Sequence, residues 1–423
     1  MESSGGEVLK RKRYIVAVES LARVKIAVLA MLALQFIGCD HRPAQLKVEQ
    51  LGVPSQVGLA PKLAIDHNGS AVLSWLEKLP SSQGRLRFAV QQQNGWSAPV
   101  TAAEGPVATE EFASAFVLSP RPEEFVALWT EIKDHDHNNW TEFGYFSRST
   151  DGGNTWSHPE SLAADFSKTE HSYLSGAVLD SGVVGFTWLD GRETAKVPYP
   201  EGHYHLMAGM LYPDGHYSGE KMLDDNVCTC CPTASVSLGN DMLIGYRDRT
   251  QAEIRDMNTV RLSDKLTADG PYSVHHDGWK INACPTNGPA LDGRNGKVVV
   301  AWFSSANGPL LSFSTSSDGG KQFSSPKEVS AATATVGHPA IALLADGSSI
   351  LAWIESGNPE SHLRVRQILN DGEFGPVVEI AHGSGFGYPS MRAQANGVLL
   401  AWMQSGDTGS SLHLARIGVD KLR

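Results

Sequence analysis

Four of the five cysteines fall in two short phrases, Cys228-Thr229-Cys230-Cys231-Pro232-Thr233-Ala234 and Cys284-Pro285-Thr286-Asn287. Thiolates at this density are soft ligands that suit Zn or Cu, and His171 and His338 stand at comparable places in the chain to add imidazole nitrogens. In an oxidising compartment the same four cysteines could form two disulfides instead. Neighbours such as Cys230 and Cys231 bridge each other only under strain, so the disulfide alternative pairs Cys230 or Cys231 with Cys284.

Carboxylates recur on a second pattern. Glu77, Glu131, Asp190, Asp248 and Glu355 each follow an aromatic residue by two positions. Carboxylates gathered on one ring can serve as acid, base or cation ligand once their surroundings separate their pKa values, and they can equally be turn residues. Glu131, Asp190 and Asp248 are the acid/base candidates; Tyr246, with Tyr272 and Tyr388 as alternatives, is the candidate nucleophile. Arg192, Arg247, Arg249, Arg255 and Arg392 offer planar guanidiniums that could grip a carboxylate. The competing reading of Arg247-Asp248-Arg249 and Arg255-Asp256 is an internal lattice of ion pairs. The runs Asp134-His135-Asp136-His137 and His203-Tyr204-His205 could hold a divalent ion.

What must position these groups is a repeat. Short apolar runs end at Trp75, Trp129, Trp188, Tyr246, Trp302, Trp353 and Trp402, with successive gaps of 54, 59, 58, 56, 51 and 49 residues. Units of this length, built from β-branched and aromatic runs with Gly, Asp and Asn turns, predict an all-β fold of four-stranded propeller blades, seven in number. The unit around Trp353 divides into PAIALLA, SSILAWIE, HLRVRQIL and FGPVVEI, whereas the last unit has only three strands. Gln45–Leu51 is expected to supply the missing strand and close the ring, which would remove two free sheet edges. Innermost strands are expected to open at Ala60, Glu111, His171, Cys231, Cys284, His338 and Tyr388, so that these residues share one rim with the ends of the second strands.

Ser149-Thr150-Asp151-Gly152-Gly153-Asn154-Thr155-Trp156 and Ser316-Ser317-Asp318-Gly319-Gly320-Lys321-Gln322-Phe323 resemble the Asp box, S-x-D-x-G-x-T-W, of the sialidase-like propeller superfamily (BNR repeat). Physically the motif is a turn, in which Ser and Asp cap backbone N–H groups and Gly takes positive φ. Sialidases have six blades, which makes six the alternative count. Their Phe-Arg-Ile-Pro motif is absent here. The resemblance implies a rim that handles an anionic saccharide-type ligand, as an exo-sialidase-like glycoside hydrolase if catalytic. The alternatives are a metal-binding or redox propeller built on the Cys/His cluster, and a non-catalytic binding module.

Arg23 and Lys25 precede an apolar stretch, Ile26 to Ile37, which has the length of a signal-peptide core rather than of a membrane span. It ends in Phe36-Ile37-Gly38-Cys39, which resembles a lipobox and makes Cys39 the expected site of lipidation. The chain thus divides into a signal peptide over 1–38, a tether over 39–44 and one propeller domain over 45–423. It is expected as a monomeric lipoprotein of the bacterial cell envelope, held to the membrane by its anchor. A net charge of −11 without a basic stripe argues against nucleic acid as a partner.

Overall fold

The computed structural model describes residues 46–109, 114–135, 140–197, 201–330, 335–357, 359–406 and 409–419. Cys39, Gln45, Glu111, Asp136 and His137 lie outside them. Seven antiparallel sheets follow one another along the chain, giving a seven-bladed, sialidase-like β-propeller. A typical blade is the third, with strands His171–Val178, Val184–Asp190, His205–Leu211 and Tyr217–Asp224 running from the axis outward. The innermost strands of the other blades are Leu59–Ile65, Phe116–Arg121, Ala234–Leu238, Ala290–Arg294, Thr335–Leu343 and Ser390–Gln394. No helix of the described residues is long and apolar enough to cross a membrane.

Second strands are the core of each blade because sheets cover both of their faces. In the third blade all seven residues of Val184–Asp190 are buried, so apolar residues stand on both faces of the strand and the sequence does not alternate. The seven marker aromatics are at most 2 % exposed. Truncating one such Trp to Ala costs about 3–5 kcal/mol.

In the last blade, Ser390–Gln394, Gly397–Gly406 and Gly409–Val419 are joined by Leu46–Gln50, which pairs antiparallel with the outer strand from Leu46 opposite Val419 to Gln50 opposite Ala415. The first and last strands of the ring thus share one sheet: the last strand is paired on both sides, and Leu46–Gln50 becomes the outer strand of that blade.

The two Ser-x-Asp octapeptides form matching turns between third and fourth strands. Ser149 Oγ accepts from the Gly153 N–H at 2.9 Å, and Ser316 Oγ from that of Gly320 at 3.0 Å. Asp151 Oδ1 accepts from the Thr155 N–H at 2.9 Å and Asp318 Oδ1 from that of Gln322 at 3.0 Å. The second glycine of each turn sits at φ +87°, where a Cβ would be strained. Trp156 then lies edge-on to Phe88 of the neighbouring blade, with ring centroids 6.1 Å apart.

Candidate functional site: a thiol cluster at the channel mouth

Cys228, Cys230 and Cys231 occupy the loop that leads into the innermost strand of the fourth blade, and all three are buried. The loop is tied to the end of the blade's second strand, where the Cys228 N–H donates to the Arg247 carbonyl at 3.0 Å. The three sulfurs lie within 4.8 Å of one another, with Cys228 Sγ 3.0 Å from Cys231 Sγ and 4.0 Å from Cys230 Sγ. All four clustered cysteines are free thiols. Cys284 is exposed beside the group, its sulfur 3.9 Å from Thr229 Oγ1 and within reach of the Cys230 thiol.

Cations sit directly beneath. Arg255, fully buried, donates from Nη1 to Cys228 Sγ at 3.4 Å. Hydrogen bonding with Cys230 and Cys231, helped by Arg255, holds the Cys228 thiol well below its usual range. Donation from Cys230 brings Cys284 down to about 6 against the opposing effect of burial, whereas burial pushes Cys231 up to about 12. One Cys230 proton can serve only one acceptor at a time. Cys228 and Cys284 are thus favoured as thiolates, while Cys230, raised by its hydrogen bonds to the other thiols, and Cys231 keep their protons, which a thiolate-bound ion would have to displace.

The mouth beside the cluster is covered by aromatic groups. Tyr388, opening the last blade, reaches past the sixth to donate its hydroxyl to the Thr286 carbonyl, and His338 stacks on its ring at 4.3 Å between centroids. Burial lowers the His338 imidazole to about 4, so it is neutral near physiological pH. Tyr173, Thr286 and His338 all take positive φ, at +55°, +49° and +51°. Around Tyr173 and His338 the ladder slips register between Ser172 and Ser175 and between Gly337 and Ala340. Such bulges re-aim side chains, and here they crowd toward the mouth.

The structure separates several residues that the sequence pattern groups. The fifth blade opens at Gly288-Pro289, with its strand starting at Ala290, so Cys284 belongs to the preceding loop rather than to the innermost strand. The likeness of Cys-Pro-Thr-Ala and Cys-Pro-Thr-Asn is out of register by three residues, because Ala234 and Ala290 hold equivalent places in their ladders. A Cβ at Gly288 would fall 2.0 Å from the Pro232 carbonyl oxygen, so no side chain fits at that place. His171 turns from the axis, with Nδ1 3.1 Å from Asp190 Oδ2 and its ring stacked on Phe143 at 5.0 Å.

The carboxylates two positions after the aromatic markers form another structure. Trp75 donates its indole N–H to Glu77 at 3.0 Å, Trp129 to Glu131 at 3.1 Å and Trp188 to Asp190 at 2.9 Å. Strand period two puts each acid on the face of its own Trp, and a buried indole N–H requires an acceptor. Cations complete the clamp: Arg87 and Arg85 lie 3.5 and 3.7 Å from Glu77, Lys133 pairs with Glu131, and Arg364 donates to Glu355 at 2.9 Å. Asp190 is wholly buried, and donation from Arg192 and His171 overrides burial to hold its pKa below the carboxylate range. Asp248 is instead raised to about 6, by burial and then by Asp224. Tyr246 is buried and donates to Asp224 at 2.6 Å.

Most of the arginines are likewise engaged. Arg247 donates to the carbonyls of Asn287, Phe303 and Arg255 at 2.9, 2.7 and 2.7 Å, and lies over the Trp279 ring at 4.8 Å. Arg249 and Arg255 share Glu253 at 2.6 and 2.9 Å, and Arg192 bridges Asp190 and Glu220 at 2.6 and 2.9 Å. Arg392 points elsewhere, into the axial channel. Tyr272 donates to Asp269, and His205 faces Glu193 at 3.6 Å. Two residues of the mouth carried no sequence signal. Glu170 accepts from Tyr204 at 3.0 Å and is raised to about 7 by burial and Glu142, and Tyr173 lies beside it.

No family model matches the chain, and no curated protein does. Among solved structures the ring resembles the BP39L lectin from Burkholderia pseudomallei, with a TM-score of 0.57 and 12% identity over 88% of this chain and 95% of that one. A protein of unknown function from Dyadobacter fermentans gives 0.51 and 15% over 90% and 99%. Phage phi92 endosialidase gives 0.51 and 8% over 89% and 70%. At these identities the likeness is one of fold.

Proposed function

We propose that the protein is an envelope-displayed, lipid-anchored propeller whose thiol cluster holds one soft metal ion, Cu(I) or Zn(II). One observation carries the reading: three buried cysteine sulfurs lie within 4.8 Å of one another, with an arginine at 3.4 Å. Three thiolates suit a trigonal Cu(I) site, and Cys284 beside them supplies the fourth ligand that tetrahedral Zn(II) prefers. Arg255, with Arg247 beneath Cys231, offsets the negative charge that either thiolate complex carries. In an oxidising compartment bound metal also keeps such close thiols from pairing.

The test is metal content and thiol titration on one purified sample, paired with the mass of the N-terminal peptide, where diacylation of Cys39 is expected. About one Cu or Zn per chain, lost in Cys231→Ser with the fold retained by circular dichroism, supports the reading. Metal-free protein whose cysteines resist titration until reduced would replace it with a disulfide site.

A second reading, binding of an anionic saccharide at the rim, draws on the fold shared with the Burkholderia lectin and the phage endosialidase. It is a reading of binding rather than hydrolysis, because Arg192, Arg247, Arg249 and Arg255 are engaged by internal acceptors. A glycan array showing retention without cleavage would support it.

A further inference from the structure

The axial channel contains an unbalanced pair of cations. All seven innermost strands line a cavity of about 160 Å³, into which Lys62 of the first blade and Arg392 of the last both project. Among the described residues the Lys62 ammonium has no hydrogen-bond or ion-pair partner, and the charged group that acts on it most is Arg392, another cation. Among the described residues Arg392 has one backbone acceptor, the Met391 carbonyl at 2.8 Å. Asp292 lies near Arg392, but its two oxygens already accept the N–H groups of Gly293 and Leu343, each at 2.8 Å. Even with Asp292 ionised the channel is left with one positive charge in excess.

Polar groups of the right kind face the same space. Ser175, Thr233 and Ser235 line it, with Ser175 Oγ 2.8 Å from Thr233 Oγ1 and 2.7 Å from Ser235 Oγ. Hydroxyl hydrogens rotate to suit a partner, so this cluster can turn a donor toward an acceptor in the channel. Burying a cation without a counter-charge is costly, and a channel open to solvent lets an anion supply that charge.

We propose that the axial channel binds a small oxyanion, a phosphate or a short carboxylate, between Lys62 and Arg392. The volume sets the size: a cavity of ~150 Å³ admits a six-atom ring, so a single tetrahedral anion or a three-carbon diacid fits and a sugar residue does not. The two cations that would hold the anion are not part of the thiol cluster, and the proposal does not depend on bound metal.

The experiment is calorimetric titration of the full chain with inorganic phosphate and, in a second arm, with malonate. A chloride titration at matched ionic strength serves as the control. Saturable binding of either oxyanion at about one per chain is expected, and the arm that saturates identifies the source. Removing one charged hydrogen-bond partner lowers affinity by about tenfold or more, so Lys62→Met is expected to weaken binding by at least that factor while remaining folded. Arg392→Gln, read in the same titration, is the second variant. Neither oxyanion exceeding chloride would overturn the proposal, and so would undiminished binding in both variants.

Discussion

Replacing Lys62 by Met is expected to make the anion-free protein more stable, against the usual effect of an inner-strand substitution. The pKa of the ammonium is lowered from 10.5 to about 8, first by burial and then by Arg392, and its remaining exposure is to the channel. A tenfold change in a protonation equilibrium corresponds to ~1.4 kcal/mol, so holding the charged form costs roughly 3 kcal/mol. The sign follows from proton counts. Between about pH 8 and pH 10.5 the unfolded chain keeps the Lys62 proton that the folded chain has lost, so wild-type stability rises with pH across this window. The advantage of Lys62→Met is therefore full below about pH 8 and fades toward pH 10.5. Urea unfolding of both proteins in chloride buffer, near neutrality and again near pH 10, measures it. Saturating oxyanion should narrow the gap, because a ligand at 100-fold its Kd contributes ~2.7 kcal/mol, comparable to the penalty. A variant no more stable than wild type near neutrality, or an advantage that does not shrink as pH rises, would refute the account of an uncompensated cation.

Three further outcomes are expected. Cys231→Ser should reduce bound metal from about one per chain to a trace by elemental analysis, with Arg255 left beside a thiolate pair that cannot close a trigonal site. In metal-free protein Cys284, the one exposed thiol of the four, should be alkylated by iodoacetamide well before the buried three, as peptide mass mapping would show; equal rates would place it elsewhere. Asp190→Ala removes the acceptor shared by Trp188 and Arg192, and truncating one partner of a buried charge pair costs about 3–5 kcal/mol in urea unfolding.

Much of the fold was legible because a propeller repeats its constraints. Each second strand must be apolar on both faces and end in a large ring, and that requirement prints the same phrase seven times, from Trp75 to Trp402. The site was legible in part. Cys228, Cys230 and Cys231 are neighbours in sequence and stay neighbours in space. Cys284 joins them although its phrase is three residues out of register, because the loop before the fifth blade rather than its strand carries it. The carboxylates illustrate the opposite failure. Their two-residue offset from Trp resembles a functional ring, yet the same offset places them on the indole face, where Glu77, Glu131 and Asp190 satisfy buried N–H groups.

Composition and periodicity alone determined the all-β class, the seven sheets and the nearness of three thiols, since each depends on local spacing and on which side chains avoid water. Tertiary structure alone decided which charges cancel. Arg247 and Arg392 look alike in a sequence, but one is surrounded by carbonyls and the other shares a channel with Lys62. Charge balance is a sum over groups brought together from distant parts of the chain, and no spacing along the chain encodes it.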